Sequence, residues 1–283
     1  MSTVVAQERQ SDVTTLSVNV RMVEVYASVV DSKGRRVQDL EANSFEILED
    51  GVKQTPHDFE SQDSEANIAI LLDTTSSMAP LLPQVKNAVS DLLDKLDAKD
   101  NAGLFTFNTK LNTIEPFTKD RNAIQAKLMQ LRAEGGTALY DALAQLARDL
   151  SSNPGKNVIL LFTDGLDNRS VLRMENATSA IRRIGVPIYT IAEGALLQDS
   201  EGLKRLKAIA ADTNGIAFEA HGSSELTDIV SKINLDLRHL YLLGYYPNNT
   251  SNDSDWHHIL IRVPGHPELR IRAKEGYSTK APL

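Results

Sequence analysis

The sequence predicts an α/β protein. A doubly wound, mostly parallel sheet is inserted between two β segments, and these segments fold together into one small β-sandwich-like domain. Two observations predict the centre and the flanks, and a third joins the flanks. Apolar runs alternate with amphipathic helical patterns from residue 65 to residue 240, the mark of parallel strands joined by right-handed crossovers. Period-two patterns occupy both flanks, with no helical pattern of useful length before residue 80. Neither flank alone supplies enough strands to cover an apolar face, because isolated hairpins are marginal in water. The organisation expected is a disordered N-terminus over 1–14, β segments over 15–62 and 241–283, and an α/β unit over 63–240.

Taken in order, Leu16, Val18, Val20 and Met22 alternate with polar residues, then the phase slips and Val23, Val25, Ala27 and Val29 take over. Such a slip marks a bulge or a strand break, since strand side chains alternate faces. Asp31 to Gly34 reads as a turn. Phe45 and Ile47 start a strand, Asp50-Gly51 is a two-residue hairpin signal, and Val52 begins the return. In the centre, the strands expected are Asn67 to Leu72, Gly103 to Phe107, Leu111 to Phe117, Val158 to Phe162, Ile188 to Ile191 and Ile216 to Phe218. The uninterrupted apolar character of Val158 to Phe162 fits a strand covered on both faces. The helices expected are Pro83 to Asp97, Asn122 to Arg132, Ala138 to Leu150, Met174 to Ile184, Leu203 to Ala211 and Glu225 to Arg238. The tail returns to strands at Tyr241 to Tyr246, Ile259 to Val263 and Leu269 to Ala273, punctuated by Gly265, Pro267 and Gly276.

Composition removes several functions. The 283 residues contain no cysteine, which excludes disulfides, zinc ribbons, thiol nucleophiles and thiolate-bound iron–sulfur clusters. With 30 basic against 38 acidic residues the net charge is −8, which argues against nucleic acid as a partner. No segment approaches the ~18 apolar residues of a membrane span, so no membrane insertion is expected. Met1 to Gln10 lacks a basic stretch followed by an apolar run, so no complete signal peptide is visible. Thr3 to Gln7 reads as the remnant of a removed signal or, preferred here, as a plain disordered terminus.

The chemistry-bearing residues follow strand ends. Asp73-Thr74-Thr75-Ser76-Ser77 follows the first central strand, Gly135-Gly136-Thr137 precedes a helix, and Thr163-Asp164-Gly165 follows another strand. In open α/β sheets ligands gather outside the carboxyl ends of strands, where strand order reverses. The set offers only hard oxygen donors, which suits magnesium, manganese or calcium and suits zinc or copper poorly. Helix capping is the competing reading for Asp73, Thr75, Ser77 and Thr137. Asp167, Asn168 and Asp141 read as loop and helix polars or as supports of the site. The six histidines make no evident ligand set, Tyr241, Tyr245 and Tyr246 are expected in a core, and Trp256 is expected to pack. Asn168, Asn176, Asn248, Asn249 and Asn252 match a glycosylation motif only.

The order Asp73-x-Thr75-x-Ser77, Thr137, Asp164 resembles the metal-ion-dependent adhesion site of von Willebrand factor type A domains. The resemblance extends to Gly103-Leu104-Phe105-Thr106-Phe107 and to Gly136 through Leu143. Thr75 stands where the family more often has serine, and the hydroxyl is retained. The flanks, Val37-x-Asp39-Leu40, Phe45 through Gln54, Tyr241 through Pro247 and Gly276-Tyr277, resemble the bacterial VWFA-related family. The resemblance implies a Rossmann-like domain and an exported, periplasmic or secreted location. It also implies a divalent metal, magnesium first and manganese or calcium next. Thr75 and Ser77 would bind it directly, Asp73 and Asp164 directly or through water, and Thr137 in the ligand-bound form.

A cation held largely by neutral hydroxyls keeps positive charge and attracts an acidic side chain of a partner protein. The function expected is therefore metal-dependent protein binding without catalysis. An assembly protein in which the metal only stabilises the fold is the alternative, and a metal-dependent hydrolase a more distant one. Thr75 stands where a phosphatase-type second aspartate would be required, and no phosphate loop, nucleophile elbow or His-Glu-x-x-His is present.

Overall fold

The structure, a computed structural model, describes residues 22–61, 64–150, 153–164, 167–184, 186–248 and 256–278. The N-terminal expectations over 1–21, including Leu16, Val18 and Val20, lie outside the described residues, as do Gly165, Asn249 and Asn252. The described chain opens with β1 (Val23–Val30), β2 (Glu46–Glu49), β3 (Val52–Gln54) and β4 (Pro56–Glu60). The α/β unit runs through β5 (Ala66–Asp73), α1 (Leu82–Lys95), β6 (Asn101–Phe107), β7 (Leu111–Thr118), α2 (Arg121–Gln130), α3 (Leu139–Leu150), β8 (Lys156–Thr163), α4 (Met174–Ile184), β9 (Ile188–Ala192), α5 (Ser200–Asp212), β10 (Ala217–Glu219) and α6 (Ser223–Leu237). It closes with β11 (Leu240–Tyr245), β12 (Trp256–Arg262), β13 (Arg270–Ala273) and β14 (Gly276–Ser278).

The central sheet has the order β10-β9-β8-β5-β6-β7. It is parallel except for β7, which returns antiparallel along β6 with two register shifts. β5 is covered on both sides: Ile68, Ile70 and Leu72 join one core with Val85, Val89 and Leu92 of α1 and with α6. Ala69 and Leu71 face a second core with α3, α4 and α5. α2 starts where Asp120 accepts from the Ala123 amide at 3.1 Å, and α5 where Asp199 accepts from the Glu201 and Gly202 amides. Each side chain thus satisfies donors that a helix leaves open at its first turn.

Strands from the two ends of the chain pair into two antiparallel sheets, ordered β13-β1-β11-β4 and β14-β12-β2-β3. Asp50 and Gly51 join β2 to β3 with φ of 49° and 81°, the left-handed pair that a tight hairpin turn requires. Val25, Ala27, Val29, Phe45, Ile47, Tyr241, Leu243, Ile259 and Ile261 fill the core between these sheets. The opposite faces of β1 and β11 carry Tyr26, Leu240 and Leu242 into the α1/α6 core. One pair of strands is therefore a wall shared by two cores.

β4 is absent from the sequence expectation because Pro56, His57 and Asp58 show no apolar alternation. It forms by pairing with β11, and Pro56 sits opposite Tyr245 at a register shift, a place where a missing N–H is tolerated. Tyr246 departs from the core expectation. It lies beyond the β11 ladder, is 43% exposed, and meets the His57 ring in a T-shaped contact with centroids 4.8 Å apart. Trp256 packs edge-on to His258.

The antiparallel sheets meet the N-terminal edge of the central sheet. The Tyr26 hydroxyl accepts from the Asn157 amide at the start of β8, at 2.7 Å. Nearby, Asp236 of α6 is 1% exposed. Its carboxylate is paired with Arg36, accepts from Arg272 Nη2 at 2.6 Å, and accepts from the Tyr189 hydroxyl at 2.5 Å. Arg272 Nη1 also donates to the carbonyls of Asn214 and Gly215. Burial pushes the Asp236 carboxyl up, but Arg272, the Tyr189 hydrogen bond and Arg36 outweigh it and hold it below the usual range. Removing one member of such a buried ion cluster strands the opposite charges, at a cost of about 3–5 kcal/mol. Asp236→Asn is expected to lower the unfolding free energy at pH 7 by that amount, read as a fall in the urea midpoint. An unchanged midpoint would show that the cluster does not hold the two parts together.

Candidate metal centre

The expected site residues stand at the C-terminal edge of the central sheet, where β5 and β8 end side by side. After β5 the chain passes to β6 on one side, and β8 lies on the other. The crevice above them is thus the place where strand order reverses.

Asp73 ends β5 fully buried. Its Oδ1 accepts from the Thr75 amide at 2.9 Å, and its Oδ2 accepts from the Thr163 hydroxyl at 2.7 Å. Thr75 precedes a short helical turn, Ser76–Met78, yet its side chain makes no capping bond to it. Its hydroxyl lies 3.1 Å from Ser77 Oγ, which in turn donates to Asp164 Oδ1 at 2.9 Å. Asp73, Thr75, Ser77 and Asp164 are therefore joined in one chain of hydrogen bonds.

Thr137 is on the adjoining loop and 3% exposed. Its amide donates to Asn168 Oδ1 at 3.1 Å, and its carbonyl accepts from the Asn168 and Arg169 amides. Among the described residues no hydrogen bond links its hydroxyl to the other four. Backbone bonds fix the loops to one another: Glu134 N to Thr74 O at 2.8 Å, Ala138 N to Asn108 O at 2.7 Å, and Ser76 N to Gly135 O at 3.2 Å. Asp167 accepts from the Tyr140 amide and from Ser170, while Asp141 accepts from the Val171 and Leu172 amides. Asn168, Asp167 and Asp141 thus act as loop ties that hold Thr137 beside the crevice. Asn168 and Arg169 line an open depression there with Ser76, Thr109, Gly135 and Gly136.

Glu193 was missed in the sequence. It directly follows β9, its amide donates to Thr163 O at 3.1 Å, and it is 2% exposed with Oε1 lacking a protein hydrogen-bond partner. The signal was an acidic residue at the carboxyl end of a buried apolar run, the same position that Asp73 occupies. Gly194 beside it has φ 59°, and a Cβ there would lie 3.3 Å from Asp164 Cβ and 2.6 Å from Leu81 Cδ1. Glycine therefore lets β9's exit pass close beneath Asp164.

The electrostatics follow from burial. Desolvation, partly offset by the hydrogen bonds from Thr163 and Thr75, pushes the Asp73 carboxyl up to about 6. Desolvation likewise raises Asp164. Desolvation and the nearby Asp164 push Glu193 up to about 8. None of the three has a lysine or arginine ion pair among the described residues.

The residues present fit a hard divalent cation. An octahedral ion with oxygens at ~2.1 Å sets neighbouring oxygens about 3.0 Å apart. The hydroxyl–hydroxyl and hydroxyl–carboxylate spacings are 3.1 and 2.9 Å.

A sequence model of the von Willebrand factor type A domain matches residues 67–232. The chain belongs to the von Willebrand factor type A family. Searches of curated protein sequences give no match. Three solved structures illustrate the fold. A von Willebrand factor type A protein from Catenulispora acidiphila aligns with TM-score 0.54 at 14% identity, over 93% of this chain and 75% of that one. An aerotolerance-related membrane protein from Bacteroides fragilis aligns with TM-score 0.51 at 21% identity, over 61% of this chain and 98% of the other. Proximal thread matrix protein 1 from the mussel byssus, with zinc in its metal-ion-dependent adhesion motif, aligns with TM-score 0.51 at 20% identity. That alignment covers 65% of this chain and 48% of the mussel protein. At these identities the likeness is one of fold.

The raised carboxyls of this von Willebrand domain set a pH dependence. In the folded protein Asp73 and Glu193 bind protons more tightly than in the unfolded chain, where they titrate near about 4. Stability in chelator therefore falls as pH rises from about 4 through 6 and 8. Glu193→Gln is expected to flatten the upper part of that fall and to gain on the order of a few kcal/mol above pH 8. Thermal unfolding in EDTA across pH 5–9 checks it; parallel profiles for the two proteins would contradict it.

Proposed function

We propose that the chain is a non-catalytic, divalent-metal-dependent protein-binding module of the adhesion type. Asp73, Thr75, Ser77, Thr137 and Asp164 would hold the ion. The observation that carries the reading is the Thr75–Ser77–Asp164 group. Three oxygens from two loops stand at the spacing of a cation's coordination shell, over buried carboxylates that have no cationic side-chain partner among the described residues.

Oxygen-only donors favour magnesium, with manganese or calcium as substitutes. When bound, the metal supplies a positive centre that accepts a carboxylate from outside. The chain's own residues do the rest. Asp73 and Thr163 fix the floor, and the hydroxyls of Thr75 and Ser77 contribute no charge. The exposed Arg169, whose side chain lies over Gly136, adds a positive group at the rim. An acidic side chain of a partner protein fits this surface.

Support for a non-catalytic role comes from the family, whose members are generally interaction modules. In this reading residues 63–240 are the binding unit, and residues 15–62 with 241–283 form the β domain that carries it. We place the protein outside the cytoplasm. The membrane-protein description of the Bacteroides fragilis structure accords with that, and no helix among the described residues is long and apolar enough to cross a membrane.

The test is thermal unfolding in EDTA followed by magnesium, manganese or calcium, with Asp73→Ala as control. A site filled at a hundred times its dissociation constant adds about 2.7 kcal/mol to the folded state. A rise in wild type alone, with metal-dependent capture of an acidic partner that Asp73→Ala loses, is the expected result. A metal response without any partner dependence would favour the structural alternative, and turnover of a substrate would favour the hydrolase.

A further inference from the structure

A second group of metal-ligating side chains lies in the antiparallel sheets, away from the von Willebrand crevice. Glu49 ends β2, Asp50 opens the hairpin turn, and His257 is on β12. One ligand atom from each lies within 4.8 Å of the other two. His257 Nδ1 is 2.9 Å from Asp50 Oδ2 and 3.7 Å from Glu49 Oε1. We propose that Glu49, Asp50 and His257 form a second metal site, selective for a divalent first-row transition ion such as zinc.

Four observations carry the assignment. The first is spacing. A tetrahedral zinc with ligands at about 2.0–2.1 Å sets neighbouring ligand atoms about 3.3 Å apart. The separations of His257 Nδ1 from the two carboxylate oxygens, 2.9 and 3.7 Å, straddle that value, so an ion enters with shifts of a few tenths of an ångström.

The second is orientation of the outward atoms, which is the part of a metal site that neighbouring groups fix. Glu49 Oε2 accepts from the Tyr245 hydroxyl at 2.6 Å and from the Tyr277 hydroxyl at 3.1 Å, which leaves Oε1 toward His257. Asp50 Oδ1 accepts from the His258 amide at 2.9 Å, and Oδ2 faces His257 Nδ1 at 2.9 Å. The His257 ring stacks on Tyr277 with centroids 5.1 Å apart. A Cβ on Gly276 would fall 2.2 Å from the His257 carbonyl, so the glycine allows β14 to close over the histidine.

The third is burial and charge. Glu49 and His257 are each 3% exposed, while Asp50 is exposed and forms the solvent side of the group. Among the described residues the only basic partner of Glu49 is His257. A neutral imidazole with a divalent ion balances two carboxylates, whereas a protonated imidazole balances one.

The fourth is donor type. One imidazole nitrogen among oxygens suits zinc and its first-row neighbours, and magnesium or calcium much less. This separates the site from the all-oxygen crevice by chemistry as well as by place. Binding moves the proton of the Nδ1–Asp50 contact to solvent and puts the metal in its position. The ion would then bridge the β2–β3 hairpin to β12, two parts of the chain 207 residues apart in sequence.

The experiment uses the full chain carrying Asp73→Ala, so that failure at the first site and failure here are distinguishable. Zinc is titrated calorimetrically, and cobalt(II) is titrated in its place to read the visible absorption of a nitrogen-containing site. The expected result is one saturable zinc site that persists in Asp73→Ala and weakens at least tenfold on adding His257→Asn. Asparagine keeps a donor toward Asp50 but offers no imidazole. Asp50→Asn is the second variant, should the first fold poorly. No zinc binding by Asp73→Ala at submillimolar zinc would overturn the proposal. So would equal affinity with and without His257 or the Asp50 carboxylate.

Discussion

Strands β1 and β11 must bury both faces at once. Val25, Ala27 and Val29 point into the core of the antiparallel sheets, as do Tyr241 and Leu243. Tyr26, Leu240 and Leu242 point into the core under α1 and α6. Because strand side chains alternate faces, a slip of one residue in this ladder would exchange the two sets and spoil both cores together. The register Val25–Leu243 and Ala27–Tyr241 therefore fixes how the ends of the chain meet the α/β unit. It also leaves the opposite, C-terminal edge of the central sheet free for the candidate metal residues.

The two edges of that sheet treat buried aspartates in opposite ways. At the lower edge Asp236 is surrounded by Arg36, Arg272 and the Tyr189 hydroxyl, and its carboxyl is held below the usual range. At the upper edge Asp73, Asp164 and Glu193 have, among the described residues, hydroxyl and amide donors at most, and burial raises them. Desolvating a carboxylate costs several kcal/mol unless opposite charge compensates it. The lower edge carries its compensation within the fold. In the proposed reading a cation would supply that compensation at the upper edge, so the same residue type would be structural at one end and available for binding at the other.

Much of this was readable from residues alone. The run Val158 to Phe162 announces a strand covered on both faces, and it lies inside β8. Asp50-Gly51 announces the hairpin, because both residues tolerate the positive φ that the turn imposes. Asp73-x-Thr75-x-Ser77 announces oxygen donors at a strand end, and the structure brings these together with Asp164. Other parts were silent. β4 has no apolar pattern because β11 supplies its order from outside. Tyr246 is apolar enough for a core, yet it falls one residue beyond the ladder. Glu193 differs from an ordinary surface glutamate only through the loops that cover it.

The sequence by itself determined the fold class, most of the order of the elements and the oxygen-donor character of the residues at the strand ends, because those depend on local periodicity, turn residues and donor type. Tertiary structure alone decided which faces of β1 and β11 enter which core. It also decided that Asp236 meets two arginines while Glu193 meets no cationic side chain among the described residues, and that His257 meets Glu49 and Asp50 across 207 residues of chain. Burial and through-space charge depend on neighbours remote in sequence. No local pattern encodes them, and they exist only once the chain has closed on itself.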